Sequence, residues 1–422
     1  MSRSDNAPTL GTATAAFGRI GILSFGGPAA QIALMHKVLV DEHGWLTEKQ
    51  FLNALSFCML LPGPEAMQLA TYAGWRLHGV VGGLIAGLLF VVPGAAVVLA
   101  LAVIYAAYGD APLVEGLFLG VKACVLIIVV EALLRIAKRA LNGVSAWVIA
   151  ALAFVGIFFL ALPYPLIVLG AAIAGFVMTR RAEAASVHIS ASPLSTMRTI
   201  LLWLCIWWAP LGLLATFGGA PVLTEIALFF SKLAIVTFGG AYAVLAYMAQ
   251  DVVTGFGWLN AGEMMDGLGL AETTPGPLIL VTEFVGFLAA FKQGGIWLGV
   301  AGAAVALWVT FAPCFLWIFA GAPYIEWISS KARLAGALSA ITAAVVGVIL
   351  NLSVWFALHV MFADVSRIMA GPVVLWVPDF ASLDWRVVVL ALVSAVFLLR
   401  LHWGVAKVLA VAAVAGLALS ML

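Results

Sequence analysis

The sequence predicts an all-α polytopic membrane protein: two homologous helical halves, inverted-topology repeats with broken or re-entrant helices. Three observations predict it. Of 422 residues, 65% are hydrophobic and only 9% charged, against about 25% charged in soluble domains. So little charge does not cover a water-facing surface, and most of the chain is expected in lipid. Second, Phe25-Gly26-Gly27 recurs 213 positions later as Phe238-Gly239-Gly240, and Gly44-Trp45-Leu46 as Gly257-Trp258-Leu259. Pro62-Gly63-Pro64 likewise recurs as Pro275-Gly276-Pro277, and the ungapped stretch from Phe25 to Pro64 holds 14 identities in 40 positions. Third, the residues that match best are Gly and Pro. Helix interruptions at corresponding places of two halves mark the binding site in many membrane carriers.

Residues 12–24 and 28–40 are apolar runs too short to cross alone, since a span needs about 20 residues. They form either one broken helix or a re-entrant hairpin. A polar corner at Asp41 to His43 follows, with Trp45 at interface depth. Residues 47–61 and 65–78 flank the first Pro-Gly-Pro. Longer runs at 79–108, 113–134, 146–162 and 164–179 are read as spans. The second half repeats the order at 225–237, 241–254, 260–274, 278–291, 295–321, 334–362, 386–401 and 403–421. There the shift becomes 220, which carries Pro93 onto Pro313. Residues 199–217 have no counterpart in the first half. The expected division is therefore 1–179, first repeat; 180–224, cytoplasmic loop and connector helix; 225–422, second repeat.

One connector span between two even sets inverts the second half. Positive charge, which favours the cytoplasmic side, tests this. In half one it follows the matching span (Arg135, Lys138, Arg139); in half two it precedes it (Lys331, Arg333). The opposite flanks carry Asp110 and Glu115, or Asp364 with Arg367. Arg180, Arg181 and Arg198 place the central loop in the cytoplasm, and Arg386 alone dissents.

The chemistry is expected at the breaks. A helix that starts just after Gly-Gly or Pro-Gly-Pro presents free N–H groups and the positive end of its dipole, which suits an anion. The plainer alternative is kinking and close packing, routine for Gly and Pro in membranes; repetition of both motifs favours the site. Candidate substrate contacts are Phe25, Gly26, Gly27, Pro28, Gln31, Pro62, Gly63, Pro64, Glu65 and Gln68 in half one. Half two offers Gly239, Gly240, Thr273, Thr274, Pro275, Gly276 and Pro277. Arg19 maps onto Lys232, giving each half a cation six residues before its Phe-Gly-Gly; the rival is snorkelling to the interfaces. Lys122 lies deep in an apolar run and is a further candidate. Glu131 and Arg135, at i and i+4, are read as a structural pair. Glu65 and Glu272 are candidates for carrying a coupling proton, or for capping helix N-termini.

Other classes lack their signatures. Cys58, Cys124, Cys205 and Cys314 are dispersed singly in apolar segments, without disulfide or metal spacing. The six histidines form no HxxxH or HExxH pair. There is no P-loop, GxSxG or dinucleotide fingerprint, so no enzyme and no cofactor are expected. A net charge of +1 with no basic stripe argues against nucleic acid. The N-terminus lacks a leader pattern and is expected uncleaved.

Phe25-Gly26-Gly27-Pro28, the stretch from His43 to Gly79, and the second-half FGGAYAVL and TTPGPLIL resemble the CHR family of chromate transporters, in its long two-domain form, over nearly the whole chain. The resemblance implies chromate efflux and resistance in a multi-pass protein of the bacterial inner membrane, with chromate or a similar oxyanion (sulfate among them) and the lipid bilayer as partners. A homodimer is compatible with it. The alternatives are a sulfate or other oxyanion carrier and an anion channel. The second copy has Ala241 where Pro28 stands and Leu278 where Glu65 stands, so the first half is the better source of contacts. A dianion leaving an interior-negative cell gains about 4.6 kcal/mol per 100 mV.

Overall fold

The structure is a computed structural model that describes residues 8–109, 111–179, 192–217, 220–238, 241–325, 327 and 331–421. Gly239 and Gly240, Asp110, Arg180 and Arg181, and residues 181–191 of the central loop lie outside the described residues. The described chain is helical almost throughout. Its α-helices are α1 (Leu10–Leu23), α2 (Gly27–His36), α3 (Glu48–Cys58), α4 (Glu65–Tyr108) and α5 (Pro112–Ala140). Then follow α6 (Val144–Phe158), α7 (Tyr164–Met178), α8 (Pro193–Phe217), α9 (Pro221–Val236) and α10 (Ala241–Gln250). The last are α11 (Ala261–Thr273), α12 (Val281–Gly321), α13 (Ala332–Met361), α14 (Trp385–Ala395) and α15 (Val405–Ser420). Among the described residues, five helical stretches are long and apolar enough to cross a membrane: Glu65–Tyr108, Pro112–Ala140, Pro193–Thr216, Leu278–Tyr324 and Ala332–Met361. The connector helix is among them.

The chain divides into two compact units, and each takes segments from both halves of the duplication. Unit one holds residues 1–103, 181–241 and 274–335; unit two holds 104–180, 242–273 and 336–422.

In unit one, α1 is capped by the Thr9 hydroxyl, which accepts from the Thr12 amide. Ser24 ends it, and Gly26 (φ +85°) and Gly27 (φ +78°) turn the chain into α2. Those left-handed angles favour residues without a Cβ. After α2 the helix widens to π form over Lys37–Glu42. Arg19 Nη1 lies 2.9 Å from Glu42 Oε2. Along one straight helix these residues would stand about 34 Å apart. The chain therefore folds back between them, and the first interrupted pair is a helical hairpin.

α3 begins with a capping box made by Thr47 and Gln50. α4 is two helices joined at His78-Gly79, where Gly79 has φ +64° and ψ −152°. The arms pack closely enough that a Cβ on Gly74 would fall 2.3 Å from the Gly82 carbonyl oxygen. α12 repeats this, with its turn at Gly294-Gly295 and Gly302 against the Gly286 carbonyl at 2.3 Å. Small residues let such backbones approach. The change of shift from 213 to 220 has its cause here. Pro64 to Gly79 spans 15 positions and Pro277 to Gly295 spans 18; Gly79 to Pro93 spans 14 and Gly295 to Pro313 spans 18. Both arms lengthen by about one turn, and the hairpin stays in register. The first arms of both hairpins, 65–77 and 281–293, run only about 20 Å.

In unit two, α5 and α15 meet through Gly116, Gly120 and Gly416; a Cβ on Gly120 would lie 1.7 Å from the Ala412 carbonyl oxygen. Ala123, Val387, Leu390 and Ala391 form a buried cluster. Two features depart from the sequence reading. The runs at 146–162 and 164–179 fold as 15-residue helices, about 22 Å each and short of the hydrocarbon thickness of about 30 Å. Leu160 to Pro163 break the apolar run between them. Residues 365–370 and 373–378 form a β-hairpin turning at Gly371-Pro372, a stretch to which hydropathy assigned no element.

Candidate functional site

The site is assembled at the two Pro-Gly-Pro breaks of unit one. The Gly63 amide donates to the Thr237 carbonyl, and the Gly276 amide donates to the Ser24 carbonyl, each at 2.9 Å. The shift of 213 carries Gly63 onto Gly276 and Ser24 onto Thr237. Each half thus holds the other's break by the same bond. The flanking hydroxyls repeat too: Ser24 Oγ donates to the Ile20 carbonyl at 2.6 Å, Thr237 Oγ1 to the Leu233 carbonyl at 2.5 Å. These bonds satisfy carbonyls left open where α1 and α9 end.

One small cavity lies at this crossing, about 10 Å³, room for about one water molecule. It is lined by Pro28 and Gln31 of α2, Pro64, Glu65 and Ala66 at the start of α4, Ala241 at the start of α10, and Pro277, Leu278 and Ile279 at the turn into α12. Four helix N-termini, two from each half, therefore border one space. The N-termini at Gly27 and Leu278 carry no side-chain cap, so their first amides keep free valences. Among the described residues, no cation lines the cavity and Glu65 is the single ionisable group there. Whatever attraction it has for an anion comes from backbone N–H groups and helix dipoles.

The glutamines differ between the breaks. Gln31 Nε2 donates to the Gly276 carbonyl at 2.6 Å, so half one grips Gly276 at both its amide and its carbonyl. Gln68 Nε2 donates to the Pro62 carbonyl at 2.7 Å, and its buried Oε1 has no hydrogen-bond partner among the described residues. Pro275 and Thr274 are buried beside this break, whereas Thr273 and Phe25 are exposed.

The remaining candidates stand elsewhere. Arg19 is exposed and pairs with Glu42; Lys232 lies on the exposed face of α9. Neither lines the cavity. Lys122 belongs to unit two, where its Nζ lies 3.3 Å from Asp266 Oδ1, and Tyr105 donates to Asp266 Oδ2 at 2.7 Å. Glu272, also of unit two, accepts from Tyr242 Oη at 2.8 Å. Glu131 and Arg135 are paired with each other. Sequence reasoning passed over Glu283 of α12, which is 1% exposed. No group of three or more His, Cys, Asp or Glu suited to a metal ion occurs among the described residues.

Long apolar helices, two helix breaks per half and a space bordered by helix N-termini define a multi-pass membrane transport protein built by duplication. The family profile described as "Chromate transporter" matches residues 12–176 and again 224–417. The chain belongs to the chromate transporter family. The chromate transport protein of Pseudomonas aeruginosa is 34% identical over 343 residues, covering 79% of this chain and 78% of that protein. The chromate transport protein of Cupriavidus metallidurans is 30% identical over 354 residues, 79% of each. The uncharacterized transporter YwrA of Bacillus subtilis is 32% identical over 133 residues, which cover 74% of it but 32% of this chain. No solved structure matches the chain at a significant level.

Proposed function

We propose that this protein carries chromate out of the bacterial cytoplasm through the cavity at the crossed breaks, and so confers chromate resistance. The observation that carries the reading is the meeting of four half-helix N-termini at one space, with no cation there among the described residues. The cavity is about one water in size and widens to admit a compact oxyanion, whose several oxygens then accept backbone N–H bonds at once. The contacts are Pro28, Gln31, Pro64, Glu65, Ala66, Ala241, Pro277 and Leu278, with Gly26, Gly27, Gly63 and Gly276 shaping the breaks. Glu65, at the cavity, is the carboxylate suited to a coupling proton, ahead of Glu272.

The halves, 1–179 and 225–422 joined by the connector, are inverted. The reciprocal Gly63–Thr237 and Gly276–Ser24 bonds support a two-fold relation, because only an exchange of halves pairs i with j′ and i′ with j. The switched basic flanks favour an axis in the membrane plane. Export then needs no nucleotide. A dianion falling through 100 mV gains about 4.6 kcal/mol, an outward gradient of about a thousandfold.

Chromate uptake into everted vesicles, with and without an imposed potential, tests this. Potential-dependent uptake that disappears in Ala66→Leu, which narrows the cavity, is expected. Uptake indifferent to the potential would sink the export mechanism. Competition by sulfate would extend the substrate class to tetrahedral dianions generally.

A further inference from the structure

We propose that the β-hairpin between α13 and α14 is embedded in the bilayer surface, its outward face against lipid at the boundary of headgroups and acyl chains. Its strands are β1 (Val365–Ala370) and β2 (Val373–Pro378), with Ile368 across from Leu375 and Ser366 across from Val377. Successive strand residues alternate between faces, and residues directly across share one. One face turns inward: Val374 is buried, and Trp376 lies edge-on to His359 of α13. The other carries Ile368, Leu375 and Val377, which are 48%, 38% and 41% exposed. A sheet with one face in water shows polar residues on that face. Here the face has a single polar residue, Ser366, and its hydroxyl donates to the Val377 carbonyl at 3.1 Å. The outward face therefore asks nothing of water and leaves apolar surface bare.

The surrounding fold says what covers it. The Val374 amide donates to the Phe159 carbonyl at 2.7 Å, at the break between α6 and α7. The base of the hairpin is tied to a helix end by the Asp384 amide, which donates to the Met361 carbonyl at 2.8 Å. α6 and α7 run only about 22 Å, about 8 Å short of the hydrocarbon thickness. The hairpin is thus bonded to the end of a helix pair that stops inside the bilayer. A two-stranded sheet, about 10 Å across by its strand spacing, is of a size to fill that shortfall. The apolar surface also continues onto α14, where Trp385, Val389 and Leu392 are exposed. Aromatic side chains gather at membrane interfaces, and Phe380, just past β2, is 78% exposed.

Depth follows from the backbone. A hairpin has open edges whose N–H and C=O groups hydrocarbon leaves unsatisfied. Headgroups and their water satisfy them, so the hairpin lies at the boundary and no deeper. The charges agree with that depth. Arg367, the single charged residue of the two strands, is on the inward face with its guanidinium over the Trp376 ring. Asp364 and Asp379, both exposed, stand at the base. Lys331 and Arg333 lie at the opposite end of α13, so the excess of positive charge on the cytoplasmic side assigns the hairpin to the extracytoplasmic leaflet.

The test uses the full-length protein in lipid nanodiscs, carrying Cys205→Ser so that the remaining native cysteines, Cys58, Cys124 and Cys314, are buried. Spin labels at Leu375→Cys, Val377→Cys and Ile368→Cys, one per protein, are read for collision with oxygen, which dissolves in lipid, and with a nickel chelate, which stays in water. Two references bracket them: Lys49→Cys, exposed in the first turn of α3, and Leu88→Cys, exposed midway along the spanning stretch of α4. The oxygen-to-nickel ratio at the hairpin is expected to exceed that at Lys49 several-fold and to fall short of that at Leu88. An unchanged elution volume shows that a variant folds, and any one of the three hairpin sites suffices. A ratio equal to that at Lys49 would overturn the proposal by placing the face in water. A ratio equal to that at Leu88 would overturn it by placing the hairpin in the hydrocarbon. Exclusion of both probes would overturn it as well, and dipolar broadening between labels would then assign the face to a second copy of the chain.

Discussion

The two helices that leave the Pro-Gly-Pro breaks begin alike and differ in what they bury. At each, a glycine amide reaches across to the carbonyl before the other half's Phe-Gly-Gly. Beyond that shared frame, the α4 arm carries Glu65 and Gln68, whereas the α12 arm carries Leu278 and Glu283. Duplication supplied a symmetric backbone cradle, and divergence placed the side-chain chemistry unequally upon it. The shared glycine bonds hold the two breaks together, and the unequal side chains are where the two breaks differ in chemistry.

The largest effect is expected from breaking the frame. Gly63 has φ +118°, and a Cβ there would lie 2.8 Å from Gln68 Nε2 and 3.0 Å from Cys314 Sγ. Gly276 has φ +88°, with Leu280 Cδ1 at 3.1 Å. Both Gly63→Ala and Gly276→Ala force a backbone disfavoured by about 1–3 kcal/mol, and Gly63→Ala adds the closer clash. Thermal unfolding of the purified protein should rank Gly63→Ala below Gly276→Ala, with chromate uptake lower by more than about tenfold in the former. The opposite order would mean that the two breaks are not equivalent frames.

Much of this frame was legible in the sequence. The constant shift of 213 exposed the duplication and its paired Gly and Pro breaks, whereas Ser24 and Thr237, which match under the same shift, lie in no motif and were not singled out. The crossing itself was not legible. Nothing in spacing says that Gly63 bonds Thr237 rather than Ser24 of its own half, because that depends on how the halves exchange in space. Glu283 escaped notice because it lies in no motif and has no mate in half one. Arg19 and Lys232 matched under the shift, yet both stand on exposed helix faces and do not line the cavity; a duplication keeps such a pair whether or not it touches substrate.

Making half one resemble half two sharpens the comparison at the next level. Gln31 aligns with Val244, and Gln68 with Val281. Gln31→Val leaves the buried Gly276 carbonyl without its 2.6 Å donor, a loss of about 1–3 kcal/mol. Gln68→Val removes the donor to Pro62 but also an oxygen that has no partner among the described residues, so its net cost is expected near the lower end of that range. Denaturation of both variants should show Gln31→Val as the less stable. A larger loss in Gln68→Val would mean that its Oε1 is already engaged in holding the break.

The smallest effects are expected where the sequence symmetry looked most chemical. Arg19 pairs with Glu42 through a side chain that is 52% exposed, and such pairs contribute roughly 0–1 kcal/mol. Lys232 occupies an exposed face of α9. If the anion is held by helix N-termini and neutral donors, Arg19→Gln and Lys232→Gln leave chromate uptake in everted vesicles within about twofold of wild type and the half-saturating concentration unchanged. A rise in half-saturation of tenfold or more in both variants would restore the cations to the site. It would then be the halves' matched charges, rather than their unequal buried side chains, that recognise the oxyanion.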